Sequence, residues 1–153
     1  MGYLFAPGEG DFTAVAERLK AADAVHVVTH IRPDADAVGS ASALALALRT
    51  LGVTVDVRIG QRAPWPENLA TIPGVEDVIL GDELPDDGLV VTTDCASLDR
   101  TGRLAPAIAA ASERLIVIDH HASNPGFGGM NLVLPSESTT VICLLYTSDA
   151  ADE

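Results

Sequence analysis

The sequence predicts an α/β fold, a mostly parallel sheet with helices on both faces. Two observations carry that expectation. Short apolar runs of strand length alternate along the chain with Ala- and Leu-rich stretches of helical period, as strands joined by helical crossovers do. Three of the strand-like runs also end in Asp or His, where open parallel sheets hold their ligands.

Phe12, Val15, Ala16 and Leu19 share one helical face, which predicts a helix over Phe12–Ala22 with Asp11 as its N-cap. Ala24–Thr29 reads as a short buried strand. The loop His30–Ala37 holds Pro33 and three charged residues. Val38–Leu51 is rich in Ala and Leu and predicts a helix, closed by Gly52. Val53–Ile59 alternates apolar and polar residues, as a strand does. Gly60–Pro66 is a loop carrying the single tryptophan, Trp65, which reads as a packing residue rather than a platform for a base. A helical turn at Asn68–Ile72 and a strand at Val75–Leu80 precede the acidic turn Gly81–Gly88. Strand Leu89–Thr93, helix Arg103–Ser112 and strand Arg114–Ile118 follow. A Gly-rich loop, Asn124–Met130, leads to a last strand at Asn131–Leu134.

The length of 153 residues suits one domain, since single cores run to about 100–200 residues. Hydrophobic residues make up 48% but aromatic residues only 4%, so the core is expected to be Ala, Val, Leu and Ile. The formal charge of −13 excludes a basic surface as the means of holding nucleic acid, and no duplex DNA partner is expected. The chain is too apolar to be disordered. Cys95 and Cys143 form no CxxC and no disulfide framework. No apolar run approaches the roughly 20 residues of a membrane span, and the first ten residues lack the basic and apolar regions of a signal peptide. A cytoplasmic, reduced domain with no membrane partner is therefore expected.

Chemistry concentrates in three clusters. His30-Ile31-Arg32-Pro33-Asp34-Ala35-Asp36 follows the first strand and opens a helix. His30 and Asp34 would turn to one site, while Asp36 points to another. Gly39 and Ser40, placed in the first helical turn, would offer close approach and backbone N–H groups to a phosphate. The plain alternative is a solvated loop in which Asp caps the helix. Asp94 ends the strand Leu89–Thr93, where a carboxylate can bridge two cations or simply cap. Asp119-His120-His121 ends a wholly apolar strand, an unusual place for two consecutive histidines. One imidazole would bind metal, its neighbour would face a substrate, and Asp119 would accept a ring N–H.

His30, Asp34, Asp36, Asp94 and His120 together make a donor set of imidazole and carboxylate. It suits Mn²⁺, Fe or Zn²⁺ better than Mg²⁺. Two such cations about 3.5–4 Å apart activate a water and neutralise phosphoryl charge. Acidic loops can then serve a phosphate substrate, because the cations carry the attraction.

His30-x-x-Pro33-Asp34-x-Asp36-x-x-Gly39-Ser40, Thr93-Asp94, and Asp119-His120-His121 followed by Ala122-Ser123-Asn124 resemble the successive motifs of the DHH phosphoesterase family. The likeness is strongest to its NrnA-type branch of bifunctional oligoribonucleases and 3′-phosphoadenosine 5′-phosphate (PAP) phosphatases, related to RecJ. Ser138-Thr139-Thr140 resembles that branch too. The resemblance implies two Mn²⁺ ions, with Mg²⁺ or Co²⁺ as substitutes. His30 and Asp34 would hold one ion, Asp36 and His120 the other, and Asp94 would bridge. His121, backed by Asp119, would contact the scissile phosphate. Gly39, Ser40, Arg100, Asn124, Ser138 and Thr139 are the expected substrate contacts. The implied substrates are short RNAs, linear or cyclic dinucleotides such as pApA, or PAP. A homodimer of the full-length protein is compatible with the resemblance.

Inorganic pyrophosphatases and exopolyphosphatases share the Asp-His-His motif and form the enzymatic alternative. A nucleotide-binding fragment with impaired catalysis is the other. The family carries a further metal-binding Asp and a second, smaller substrate domain beyond the residues present. The expectation is thus a catalytic domain over residues 1–142, incomplete at its end, with a non-native tail at 143–153 and the substrate domain absent. Arg32, Arg100 and Arg103 read equally as phosphate contacts and as solvated arginines. Cys95 reads as a small buried residue rather than a nucleophile.

Overall fold

A computed structural model of the chain describes residues 9–140. Its strands are β1 (Ala24–Thr29), β2 (Thr54–Ile59), β3 (Val78–Leu80), β4 (Leu89–Thr93), β5 (Leu115–Asp119) and β6 (Met130–Val133). They form one six-stranded sheet in the order β3-β2-β1-β4-β5-β6, with every neighbouring pair parallel. The chain winds outward from β1 through β2 to β3. It then returns to the other side of β1 and winds the opposite way through β4, β5 and β6. Such a reversal leaves a crevice beyond the carboxyl ends of the two strands that flank it, here β1 and β4.

Alternation along the strands divides the core between the two faces of the sheet. Helices α1 (Glu9–Lys20) and α2 (Ala35–Thr50) cover one face. There Val15, Leu19, Ala41, Leu44 and Leu48 pack on Val25, Val27, Val57, Ile116 and Ile118. The other face is covered by a 3-10 segment at Leu98–Leu104 and helix α3 (Ala105–Ala110), whose Leu104 and Ile108 pack on Val28, Val90, Leu115 and Val117. Both clusters consist of aliphatic side chains, each contributing about 1.5–3 kcal/mol on burial. Trp65 packs in a smaller third cluster with Val38, Leu69 and Val75. No described helix is long and apolar enough to cross a membrane.

The expected α/β architecture with helices on both faces is therefore present, and the differences lie at element ends. Helix α1 begins at Glu9, so Asp11 lies within it rather than capping it. Helix α2 begins at Ala35, three residues before the predicted Val38, because Asp34 accepts a hydrogen bond from the Ala37 N–H at 2.9 Å and caps it. The predicted strand at Val75–Leu80 opens as a 3-10 turn over Val75–Asp77. The predicted helix Arg103–Ser112 is shorter than expected: its first two residues end a 3-10 segment kinked at Gly102, where φ is +64°, α3 covers only Ala105–Ala110, and Ser112 opens a further 3-10 turn. The tail expected at 143–153 lies outside the described residues, as does Cys143.

Candidate metal centre

Three histidines and four aspartates from the predicted clusters gather beyond the carboxyl ends of β1, β4 and β5. A hydrogen bond from the Thr29 hydroxyl to the Thr93 carbonyl, 2.8 Å, ties the ends of β1 and β4 at the crevice. Asp94 follows Thr93 directly. Its φ of +56° turns the chain sharply out of the strand, a conformation Asp tolerates better than most residues. Its N–H donates to the Ile118 carbonyl at 3.1 Å, which fixes the Asp94 backbone against β5.

The Asp94 carboxylate lies between two imidazoles. Oδ2 is 3.6 Å from His30 Nε2, while Oδ1 is 3.2 Å from His120 Nε2 and 3.9 Å from His121 Nδ1. Asp94 is 2% exposed, so it faces these partners rather than water. His30 Nε2 also lies 3.9 Å from Asp34 Oδ1, and His120 Nε2 lies 3.5 Å from Asp36 Oδ2. Asp34 is thus both the helix cap and a neighbour of His30. The capping alternative and the site reading describe the same carboxylate.

Backbone carbonyls orient both rings. His30 Nδ1 is 2.9 Å from the Ile31 carbonyl, and His120 Nδ1 is 3.2 Å from the Glu137 carbonyl. A carbonyl only accepts, so Nδ1 carries the hydrogen in each case and Nε2 is turned toward the carboxylates. The hydrogen bond to Asp94 holds the His30 imidazole above its ordinary pKa, against burial that lowers it. Burial pushes the Asp94 carboxyl upward, but hydrogen bonds from His30 and Thr140 and the nearby His121 outweigh it and hold it below the usual range.

His121 faces a different partner. Its Nδ1 is 2.7 Å from Asp119 Oδ1, and Asp119 is fully buried. Asp119 Oδ2 accepts a 2.7 Å hydrogen bond from Asn124 Nδ2, which also donates to the Cys95 carbonyl. Asn124 is buried and supports Asp119, so it does not stand at a surface where a substrate would meet it.

The other expected substrate contacts are scattered. The early start of α2 moves Gly39 and Ser40 out of its first turn and into the helical interior, where their N–H groups belong to the helix. Ser40 is fully buried, its hydroxyl 3.2 Å from the Ala37 carbonyl. Gly39 is half-buried, and a Cβ there would meet nothing within 4 Å. Arg100 reaches the site through its backbone, accepting from the Ile31 N–H at 2.9 Å. Ser138 is exposed and Thr139 half-buried. The hydroxyl that enters the centre is that of the next residue, Thr140, which belongs to the Ser138-Thr139-Thr140 motif but not to the expected contacts. Cys95 is wholly buried, and burial with the charges of Asp119 and Asp94 pushes its thiol far above the ordinary range, which rules out a thiolate nucleophile.

Two sets of donor atoms lie within 4.8 Å of one another: His30, Asp34 and Asp94, and Asp94, Asp119, His120 and His121. Asp94 belongs to both. Imidazole nitrogen with carboxylate oxygen fits a divalent transition-metal cation.

Fold and site together define an open parallel α/β domain with a His/Asp centre at its topological switch point. The chain belongs to the DHH family: the pattern of the DHH family, N-terminal domain, matches residues 24–148. Over 133 residues the chain is 33% identical to the bifunctional oligoribonuclease and PAP phosphatase NrnA of Thermus thermophilus. That match takes in 82% of this chain but 37% of the Thermus protein, so the chain spans well under half of that relative. The fold is also that of an exopolyphosphatase-related protein from Bacteroides fragilis, with a TM-score of 0.78 and 23% identity over 95% of this chain and 45% of the other.

Proposed function

We propose that this chain is the metal-binding domain of a phosphoesterase that hydrolyses short oligoribonucleotides, linear or cyclic dinucleotides, or PAP. The observation that carries the reading is the Asp94 carboxylate, buried with one oxygen toward His30 and the other toward His120. A buried carboxylate between two imidazoles whose Nδ1 hydrogens are already committed to carbonyls suits a ligand shared by two cations. His30 and Asp34 would hold the first ion, Asp36 and His120 the second. Manganese is the ion the family resemblance implies, with Mg²⁺ or Co²⁺ as substitutes, and the donor set alone suits Fe or Zn²⁺ as well. Bound cations would supply an acidified water and neutralise the charge developing on phosphorus.

The chain's own residues do the rest. The two carbonyl-bound imidazoles keep their Nε2 atoms aimed at the cleft. His121, 40% exposed at its side chain, is the most accessible imidazole of the centre and contacts the scissile phosphate. Asp119 holds its Nδ1 hydrogen, so the ring presents Nε2 outward. The open space over Gly39 leaves room for the nucleotide's approach, and Arg100, whose backbone carbonyl meets the Ile31 N–H beside His30, would supply a phosphate contact. The match to the Thermus enzyme supports the nucleotide substrates. Hydrolysis assays with pApA, PAP and pyrophosphate in Mn²⁺, on the enzyme that carries this domain and its Asp94→Asn variant, test the reading. Nucleotide turnover that the variant loses is the expected result. Preference for pyrophosphate would overturn the substrate assignment.

A further inference from the structure

The segment after β6 makes three hydrogen bonds to the centre, and each goes to a different part of the fold. The Glu137 carbonyl meets His120 Nδ1 at 3.2 Å, at the end of β5. The Thr140 N–H donates to Asp36 Oδ2 at 3.1 Å, in the first turn of α2. The Thr140 hydroxyl donates to Asp94 Oδ1 at 3.0 Å, at the end of β4. Thr140 is fully buried, and two further bonds position the segment it closes: Leu134 N–H to the Asp119 carbonyl at 2.9 Å, and Glu137 N–H to the Leu134 carbonyl at 3.0 Å.

We propose that Thr140 is a positioning residue for the metal centre, its hydroxyl setting the orientation of the Asp94 carboxylate and its N–H that of Asp36. The assignment rests on the reading of the centre as a metal site, and it goes beyond that reading by adding a residue that need not touch metal or substrate. The physical reason lies in the plane of the carboxylate. Asp94 can serve His30's side and His120's side together only if its plane is held so that one oxygen faces each. His30 addresses Oδ2 alone. On the Oδ1 side, the hydroxyl of Thr140 is a neutral donor 3.0 Å away that fixes this oxygen beside His120 Nε2 at 3.2 Å. A carboxylate oxygen has lone pairs for both a hydroxyl and an ion, so the contact orients without competing. Losing an orienting partner of this kind typically lowers metal affinity about 10–100-fold.

Two substitutions isolate the hydroxyl. Thr140→Val keeps the shape and the backbone N–H to Asp36 but removes the donor to Asp94. Thr140→Ser keeps the donor and removes only the methyl group. Mn²⁺ binding to the enzyme that carries this domain, followed by loss of the six-line EPR signal of free Mn²⁺, is compared for the parent, both variants and Asp94→Asn. The expected result is at least ten-fold weaker binding by Thr140→Val, near-parent binding by Thr140→Ser, and loss of binding by Asp94→Asn. Parent-like binding by Thr140→Val, or equal weakening by Val and Ser, overturns the role of the hydroxyl while Asp94→Asn still upholds the site. Failure of the parent enzyme to bind Mn²⁺, or parent-like binding by Asp94→Asn, overturns the metal site itself and this proposal with it.

Discussion

His30 Nε2 and Asp94 Oδ2 face each other across 3.6 Å with both side chains almost wholly buried. The pair raises the pKa of His30 and lowers that of Asp94, so below the ordinary imidazole value the metal-free His30 holds its proton. A cation held by both must displace that proton. Mn²⁺ affinity is therefore expected to rise with pH through the region above 6.5, the ordinary value His30 exceeds. Calorimetric titration at pH 6, below the ordinary imidazole value that His30 exceeds, in two buffers of different ionisation enthalpy should show net proton release. Zero release or proton uptake would contradict the arrangement. For the metal-free chain the sign is reversed, because a raised imidazole pKa contributes stability that is complete below 6.5 and lost as the pH rises through the folded value.

Asn124 donates to Asp119 at 2.7 Å, and Asp119 in turn holds His121. Removing a donor to a buried carboxylate leaves it partly unsatisfied. Asn124→Ala is expected to cost about 1.5–3 kcal/mol of stability by urea unfolding. An unchanged midpoint would show that Asp119 does not depend on this bond.

Two glycines near the centre are expected to respond oppositely to alanine. At Gly102 a Cβ would overlap the Ile31 side chain and the Gly60 carbonyl, and the φ of +64° suits glycine. Gly102→Ala should destabilise by about 1–3 kcal/mol and weaken metal binding, since Ile31 adjoins His30. Gly39 lies inside α2 with open space over it, so Gly39→Ala should stabilise by about 0.5–1 kcal/mol. Thermal melts of the two variants test both signs.

Away from the centre, His26 of β1 stands opposite Asp56 of β2, Nδ1 to Oδ2 at 3.0 Å, and Arg58 binds both Asp56 oxygens. Burial raises the Asp56 pKa, but the hydrogen bond from Arg58 and the neighbouring His26 outweigh it and lower it below 3.8. A lowered carboxylate pKa contributes stability that is present above 3.8 and lost as the pH falls through the folded value. Asp56→Asn should therefore cost about 1–3 kcal/mol at pH 7 and much less near pH 2. An equal cost at both pH values would point to packing rather than charge.

The sheet, the two-sided helical cover and the aliphatic core were legible because strand-length apolar runs and helical periodicity act locally. The gathering of His30, Asp94 and His120 was legible because each residue ends a strand, and parallel strands bring their carboxyl ends together. Local competition was harder to read. Asp34 caps α2 early and draws Gly39 and Ser40 into the helix, which no periodicity showed. Asn124, an expected substrate contact, turns inward to Asp119, since a polar residue in a Gly-rich loop gives no sign of its direction. Among Ser138, Thr139 and Thr140, composition does not say which hydroxyl enters the site. The path of the backbone past Glu137 decides it. The His26–Asp56 pair depended on the register of β1 against β2, which sequence alone leaves open.

On the proposed function, Asp94 is shared by two cations, one on the side of His30 and one on the side of His120. Crystals grown with Mn²⁺ and measured at its absorption edge test it directly through anomalous difference density. Two peaks about 3.5–4 Å apart, each in contact with one oxygen of Asp94, are the expected result. Mn²⁺ density confined to surface carboxylates, or a peak at the centre that leaves Asp94 uncoordinated, would contradict it.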